Sequence, residues 1–174
     1  MPNEPAQLRR GKAFHKLIQV EWQREAQGHV RAERHVIRPG GRSGRVDVFV
    51  DDDDPKAPLA IVEIKATDWD RITDKNLRRN IRRQICQIWS YIESQIRNGE
   101  YVDSGEGKDV CPGIIFPSRP KDKQRMRLIE EMFSEEGIPV VWHDEAVGEY
   151  RNRGDNPKKI TKTESSSKRN TANA

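Results

Sequence analysis

The sequence predicts an α/β fold in which helices flank a mixed β-sheet of about five strands. Five short segments are rich in β-branched residues, and three longer segments repeat apolar residues at steps of three and four. The predicted order is helix, three strands, helix, strand, helix, strand. Because consecutive strands favour hairpins and alternating strands and helices favour parallel pairing, this order indicates a mixed sheet with helices on its faces.

Composition and charge set the broad class of protein. The chain has 174 residues, of which 33% are hydrophobic and 34% charged, so we expect a small core and a highly charged surface. Lys and Arg total 32 against 28 Asp and Glu, and the resulting charge of +4 suits a polyanionic partner without requiring one. We expect one domain over residues 1–147 and a disordered basic tail over residues 148–174, where the chain becomes polar and Ser-rich.

Cysteine content and hydropathy bear on the compartment. Cys86 and Cys111 are too few for a four-cysteine zinc or iron–sulfur site, and a disulfide framework is not expected. A reducing, cytoplasmic setting is therefore expected. No apolar run approaches the roughly 20 residues of a membrane span, and no secretory stretch opens the chain, so no membrane partner is expected.

The first predicted helix covers residues 6–27 and contains a histidine within its apolar stripe. The stripe consists of Leu8, Gly11, His15, Ile18 and Trp22. A single histidine in such a position is more often a core residue bonded to a backbone carbonyl than a ligand. Gly11, one turn before His15, leaves room for another backbone or a ligand.

Two predicted strands then form a hairpin around a polar turn. A strand at 29–38, with Val30, Ala32 and Val36 on one face, precedes the turn-rich residues 39–44. The hairpin joins residues 44–50 to residues 59–65. Its turn contains four consecutive aspartates, but it lacks the alternating spacing and glycine of a calcium loop, so a solvated turn is expected.

Each strand of the hairpin carries charge inside an apolar segment. Asp47 interrupts the first strand, and Glu63 and Lys65 interrupt the second. Side chains alternate across a strand, so Glu63 and Lys65 share one face. If the register places Asp47 beside Glu63, two carboxylates and an ammonium meet, as in a divalent-cation site that hydrolyses phosphodiesters. The alternative is a set of solvent-facing charges on a half-exposed sheet.

The longest predicted helix begins near Thr73 or Asp74 and ends near Arg97. Gln87 and Tyr91 adjoin its isoleucine stripe and are either the polar flank of the helix or groups that orient a catalytic lysine. Its first half contains an arginine cluster, which is either a solvated face or a phosphate-binding surface. The cluster consists of Arg78, Arg79, Arg82 and Arg83.

The C-terminal half of the predicted domain completes the sheet. A fourth strand is predicted at 110–116, a third helix from Ser118-Arg119-Pro120 to Glu136, and a fifth strand at 138–142. His143 follows the last strand, and we assign it no catalytic role because no motif places a nucleophile beside it.

Together these motifs resemble the PD-(D/E)XK nuclease superfamily and, within it, the RecB-like exonuclease branch. The similarity spans residues 8 to about 92 and rests on four short motifs in the family's order. Val46 stands where the superfamily often has proline, a form that is common in the RecB-like branch. The motifs are Gly11-x-x-x-His15, Gly44-Arg45-Val46-Asp47, Glu63-Ile64-Lys65 and Gln87-x-x-x-Tyr91.

The resemblance implies a restriction-endonuclease-like fold and residue roles. Lys65 would position the attacking water and stabilise charge at the phosphate, and Gln87 and Tyr91 would brace the site or contact nucleic acid. The product would carry a 5′-phosphate. The ligands of a Mg²⁺ or Mn²⁺ ion would be His15, Asp47, Glu63 and the backbone carbonyl of Ile64. The catalytic residues would be Asp47, Glu63, Lys65, Gln87 and Tyr91.

The expected function is therefore metal-dependent DNA hydrolysis in defence, repair or mobile-element processing. RNA is an alternative substrate, and a protein partner encoded nearby is a further hypothesis. Two alternatives stay open: a non-catalytic nucleic-acid-binding module of the same fold, and a restriction enzyme or nuclease toxin.

Overall fold

The computed structural model describes residues 4–26, 28–54, 56–97 and 109–145, with the side chains of residues 95–97 excepted. The predicted disordered tail lies outside the described residues. None of the described helices is long and apolar enough to cross a membrane. The elements in chain order are α1 (Ala6–Glu25), β1 (His29–Ile37), β2 (Ser43–Asp51), β3 (Leu59–Ile64), α2 (Asp74–Arg97), β4 (Val110–Phe116), α3 (Lys123–Glu135) and β5 (Val140–Trp142).

The five strands form one mixed sheet in the order β1-β2-β3-β4-β5, which confirms the predicted α/β class. The first three strands are antiparallel, and β3, β4 and β5 are parallel. The β2–β3 hairpin is confirmed, with Val48 opposite Val62. Continuing that register by one residue places Asp47 opposite Glu63. The observed ladder ends at Val48, so Asp47 and Glu63 are not themselves a ladder pair, although the charge of Asp47 acts on the Glu63 carboxyl.

The sheet separates two apolar clusters of unequal size. The larger cluster packs α2 and α3 against one face and includes Ile61, Ile81 and Phe133. The smaller cluster packs α1 against the other face and includes Ile18 and Val62. Alternation along β3 therefore sends Ile61 and Glu63 towards α2, and Val62 and Ile64 towards α1.

The strand β1 changes face halfway along its length. The predicted common face of Val30, Ala32 and Val36 is wrong for Val36, since Val30 packs against the α1 cluster whereas Val36 belongs to the α2 cluster. Between them, Glu33 has a φ of 54°. This left-handed conformation interrupts the alternation of side chains, and sequence patterning gives no sign of it, because a non-glycine residue seldom adopts it. The β1–β2 ladder omits the pair formed by Glu33 and Asp47.

The helix α3 begins later than the sequence predicts. The predicted start at Ser118-Arg119-Pro120 is wrong, because the carboxylate of Asp122 accepts hydrogen bonds from the backbone N–H groups of Gln124 and Arg125, at 2.8 and 3.4 Å, and caps the first turn. The backbone N–H of Arg119 instead donates to Asp144 at 3.0 Å, which ties this segment to the end of β5.

Candidate active site

Glu63 is a buried carboxylate with one satisfied and one unsatisfied oxygen. It lies near the end of β3, on the face that α2 covers, and is only 2% exposed. Its Oε1 accepts hydrogen bonds from Lys65 Nζ and, at 2.7 Å, from Gln87 Nε2. Its Oε2 is also buried but has no hydrogen-bond partner among the described residues. Because a buried carboxylate oxygen is costly to leave unpaired, this atom needs a ligand or water.

Lys65 reaches Glu63 because β3 continues as extended chain beyond its last ladder residue. The Lys65 backbone N–H donates to the Ile115 carbonyl on β4 at 3.0 Å. Two residues after Glu63, the Lys65 side chain returns to the same face and forms an ion pair with it. The predicted shared face of Glu63 and Lys65 is therefore confirmed.

At Asp47, the hydrogen-bonded ladders that join β2 to both of its neighbouring strands are interrupted. The β2–β3 ladder ends at Val48, and the Asp47 Oδ2 accepts the backbone N–H of Ile64 at 2.8 Å in its place. On the other side, where Glu33 interrupts the ladder, the Asp47 carbonyl accepts a hydrogen bond from Gln19 Nε2 at 3.2 Å. Both breaks are compensated by these contacts, which hold the Asp47 carboxylate beside the end of β3.

The helix α1 brings His15 to Asp47 from the face of the sheet opposite to the one that α2 covers. The His15 Nδ1 lies 3.7 Å from the Asp47 Oδ1, and the His15 side chain is 33% exposed. Gly11, one turn earlier, approaches Ala66: a methyl group there would meet the Ala66 Cβ at 3.7 Å, an ordinary contact. Gln19, one turn after His15, is one of the residues that sequence reasoning missed. Its position at i+4 from His15, on the buried face, was the available signal.

Gln87 and Tyr91 close the site from α2. Besides contacting Glu63, Gln87 Nε2 lies 2.8 Å from the Tyr91 hydroxyl, and Tyr91 is 4% exposed. The Tyr91 ring packs against Gly44, where an added Cβ would lie only 2.8 Å from the ring carbon Cε1. This close approach explains the glycine of the Gly44-to-Asp47 motif. Gln84, in the same polar line of α2, instead donates to the Thr67 hydroxyl at 3.3 Å.

Burial and like charge shape the acidity of the two carboxyl groups. Burial, together with the neighbouring negative charge of Asp47, raises the pKa of the Glu63 carboxyl to about 7, although the charge of Lys65 opposes the increase. Burial also raises the pKa of the Asp47 carboxyl, against the effect of the Ile64 hydrogen bond. Burial and the charge of Glu63 raise the pKa of the Tyr91 phenol. Two interacting carboxylates in a desolvated site are an arrangement that a cation stabilises.

The four arginines of the predicted cluster are all exposed on α2, and two of them have different neighbours. Arg83 lines a cleft beside the site, whereas Arg78 contacts the Met132 sulfur at 3.9 Å on the α3 side. Arg79 and Arg82 are exposed. Two further arginines, Arg38 and Arg42, line the same cleft as Arg83. Sequence analysis missed both, although they flank the Pro39-Gly40-Gly41 turn.

The described side chains do not form a complete cage for a metal ion. In residues 4–26, 28–54, 56–97 and 109–145, no group of three or more His, Cys, Asp or Glu side chains stands ready to hold an ion. The structure brings His15 to Asp47, links Asp47 to the backbone N–H of Ile64, and links Glu63 to Lys65. The role of the Ile64 carbonyl as a metal ligand is still a prediction.

Comparison with known proteins adds no relationship to these observations. No family model matches the chain, and no curated protein matches it.

Proposed function

We propose that this chain is a deoxyribonuclease that hydrolyses phosphodiester bonds with Mg²⁺ or Mn²⁺. The observation that carries the proposal is the buried carboxylate of Glu63. One of its oxygens contacts Lys65 and Gln87, and the other has no hydrogen-bond partner in the described part of the chain. A carboxylate that serves only the fold normally has both oxygens satisfied, so the unpaired oxygen of Glu63, whose carboxyl interacts electrostatically with Asp47, supports a ligand-binding role.

The donor set fits a hard divalent cation with an incomplete protein shell. Mg²⁺ usually keeps several waters and binds through one or two carboxylates together with substrate phosphates, so it does not need three protein side chains in one cluster. Asp47 and Glu63 would supply the carboxylates, with the His15 imidazole and the Ile64 carbonyl as further ligands. An imidazole in the set shifts the preference towards Mn²⁺. The chemistry such an ion supplies is polarisation of the phosphate and a lower pKa for water.

The chain's own residues would orient the reaction. The Lys65 ammonium pairs with Glu63, and it would donate hydrogen bonds to the attacking water and stabilise negative charge that develops on the phosphate. Gln87 holds the Glu63 carboxylate, and Tyr91 holds Gln87. The water oxygen would bond to phosphorus as the bond from phosphorus to the 3′ oxygen breaks. The water would lose a proton and the 3′ oxygen would gain one, which leaves a 5′-phosphate and a 3′-hydroxyl. Defence, repair and mobile-element processing are the proposed settings, with a partner protein encoded nearby.

Incubation of the purified chain with end-labelled linear DNA and supercoiled DNA tests the proposal. We expect cleavage with Mg²⁺ or Mn²⁺, none with a chelator, and products with 5′-phosphates. The variant Lys65→Ala should lose activity by roughly 10²–10³-fold, because one preorganised charge at a transition state contributes about that much. Lys16→Ala, an exposed lysine on α1, is the matched control and should retain activity.

Two results would reject this assignment. Full activity of Lys65→Ala would remove the proposed role of the lysine. Nucleic-acid binding without uptake of a divalent ion in calorimetry, and without cleavage, would favour a non-catalytic binding module. Discrete fragments in place of progressive degradation would instead favour a restriction enzyme.

A further inference from the structure

A cleft of about 730 Å³ lies between the β1–β2 turn and α2. Its turn side includes Arg38 and Arg42, and its helix side includes Arg83, Gln87 and Glu93. The volume falls within the roughly 300–1,000 Å³ of sites that bind small ligands. A few nucleotides of one strand are ligands of this size, whereas two paired strands are larger.

The β1–β2 turn fixes the two arginines on one wall. The Arg38 backbone N–H donates to the Arg42 carbonyl at 2.8 Å, and the Gly41 N–H donates to the Arg38 carbonyl at 3.0 Å. Gly40 and Gly41 have φ values of 84° and 76°, which glycine adopts readily. A turn closed in this way presents Arg38 and Arg42 in a defined position, unlike arginines on a long loop.

The cleft has more cationic donors than acidic acceptors. Among the described residues, three arginines line it against one lining carboxylate, that of Glu93. Arg38 donates from one nitrogen to the Ser43 carbonyl at 3.3 Å, but its Nε is buried with no partner in the described segments. That Nε lies beside Gly44, and the planar guanidinium matches phosphate oxygens better than it matches a single carbonyl.

The cleft adjoins the Glu63 site through Gln87. Gln87 lines the cleft and donates to Glu63. The guanidinium carbon of Arg38 lies 5.9 Å from the centre of the Tyr91 ring, and Tyr91 contacts Gln87. A phosphate chain in the cleft would therefore lie next to Gln87, the residue that contacts the buried carboxylate.

We propose that this arginine cleft binds successive phosphate groups of one nucleic-acid strand, next to the phosphodiester that the Glu63 site would cleave. The inference rests on the proposed function and names Arg38, Arg42 and Arg83 as its strand-binding residues. Phosphate contacts of this kind position the strand and carry no sequence information.

Binding measured in a chelating buffer tests the inference separately from cleavage. The probes are a fluorescent single-stranded oligonucleotide, a blunt duplex and a poly-glutamate peptide. The double variant Arg42→Gln/Arg83→Gln should bind the single strand roughly tenfold more weakly, and the slope of log affinity against log salt should fall by roughly 1.4, about 0.7 for each lost contact. Arg31→Gln/Arg127→Gln removes the same charge from exposed positions outside the cleft and is the matched control.

Thiol protection locates the bound strand without any substitution. Cys86 lines the cleft, and both Cys86 and Cys111 are free and exposed. The oligonucleotide should slow alkylation of Cys86 by iodoacetamide at least severalfold and leave Cys111, at the start of β4, unchanged. Equal rates at Cys86 with and without the oligonucleotide would overturn the inference.

The outcomes distinguish this inference from the proposed function. If binding depends on the cleft arginines but no divalent-dependent cleavage occurs, the strand-binding role of the cleft stands and the nuclease proposal is rejected. If the chain cleaves DNA but the two double variants lose equal binding affinity, the nuclease proposal stands and the strand-binding role of the cleft is rejected. Tighter binding of the blunt duplex would overturn the assignment to one strand, and equal binding of poly-glutamate would overturn the assignment to nucleic acid.

Discussion

The two faces of the sheet contribute unequally to the candidate site. On the α2 face, Glu63, Lys65, Gln87 and Tyr91 form one connected set of hydrogen bonds. On the α1 face, His15 is partly exposed and stands 3.7 Å from the Asp47 carboxylate. A preorganised group contributes more to a reaction than a group that must move into place, since its ordering is completed during folding. We therefore expect the α2 face to supply the essential chemistry and the α1 face to adjust it.

Loss of the Glu63 carboxylate should have the largest effect. Glu63→Gln keeps the size of the side chain but removes its charge, so divalent-dependent DNA cleavage should fall by about 10³-fold or more, the upper range for one electrostatic group. Initial rates on linear DNA measure the change. Glu135→Gln, an exposed carboxylate of α3, is the control. An active Glu63→Gln variant would show that the α2 face does not hold the chemistry.

The raised pKa of Glu63 predicts a pH-dependent stability in the presence of a chelator. Between its ordinary value of 4.5 and about 7, the folded chain retains a proton on Glu63 that the unfolded chain has released. The folded state therefore binds more protons, and its stability should fall as pH rises through this range, by about 3 kcal/mol in total.

Urea denaturation at several pH values measures this slope, and Glu63→Gln should reduce it. The control Glu135→Gln should retain the parent slope. A parent slope of the opposite sign, with stability increasing up to pH 7, would contradict the burial of an unpaired carboxyl on the α2 face.

Gln87 tests whether the α2 face acts as a connected set. Gln87→Ala removes the hydrogen bond to Glu63 Oε1 and the contact with Tyr91, so activity should fall roughly 10–100-fold, as when groups that orient a metal ligand are removed. Gln84→Ala, one turn earlier on the same helix, should leave activity close to that of the parent, since Gln84 contacts Thr67. Equal losses in both variants, measured at matched stability, would indicate a packing defect of α2.

Substitution of His15 should have the smallest effect on activity among the site variants, because His15 lies on the more open α1 face. We expect His15→Ala to lower activity by about tenfold and to reduce the Mn²⁺-supported rate more than the Mg²⁺-supported rate, since imidazole favours Mn²⁺. His29→Ala, an exposed histidine paired with Asp53, is the control. A loss as large as that of Glu63→Gln would make the two faces equal partners.

Much of the site could be predicted from local chemistry. Glu63 and Lys65 are charged residues in an apolar strand, and their separation of two residues requires a shared face whatever surrounds them. Gln87 and Tyr91 stand one turn apart beside an isoleucine stripe, which requires them to face the edge of the core. The arginines were harder to assign, because Arg78 and Arg83 lie in the same basic run but contact different parts of the molecule.

The sequence by itself determined the order of the elements and the shared face of Glu63 and Lys65, because strand alternation and helical periodicity are local properties. Only the tertiary structure decided that Glu33 would adopt a left-handed φ and that the β-ladder would be interrupted at Asp47. The same holds for the cleft across which Arg38 and Arg42 face Arg83. Each of these features joins residues from separate elements. Their positions depend on how α1 and α2 pack on opposite faces of the sheet, which no local pattern of residues encodes.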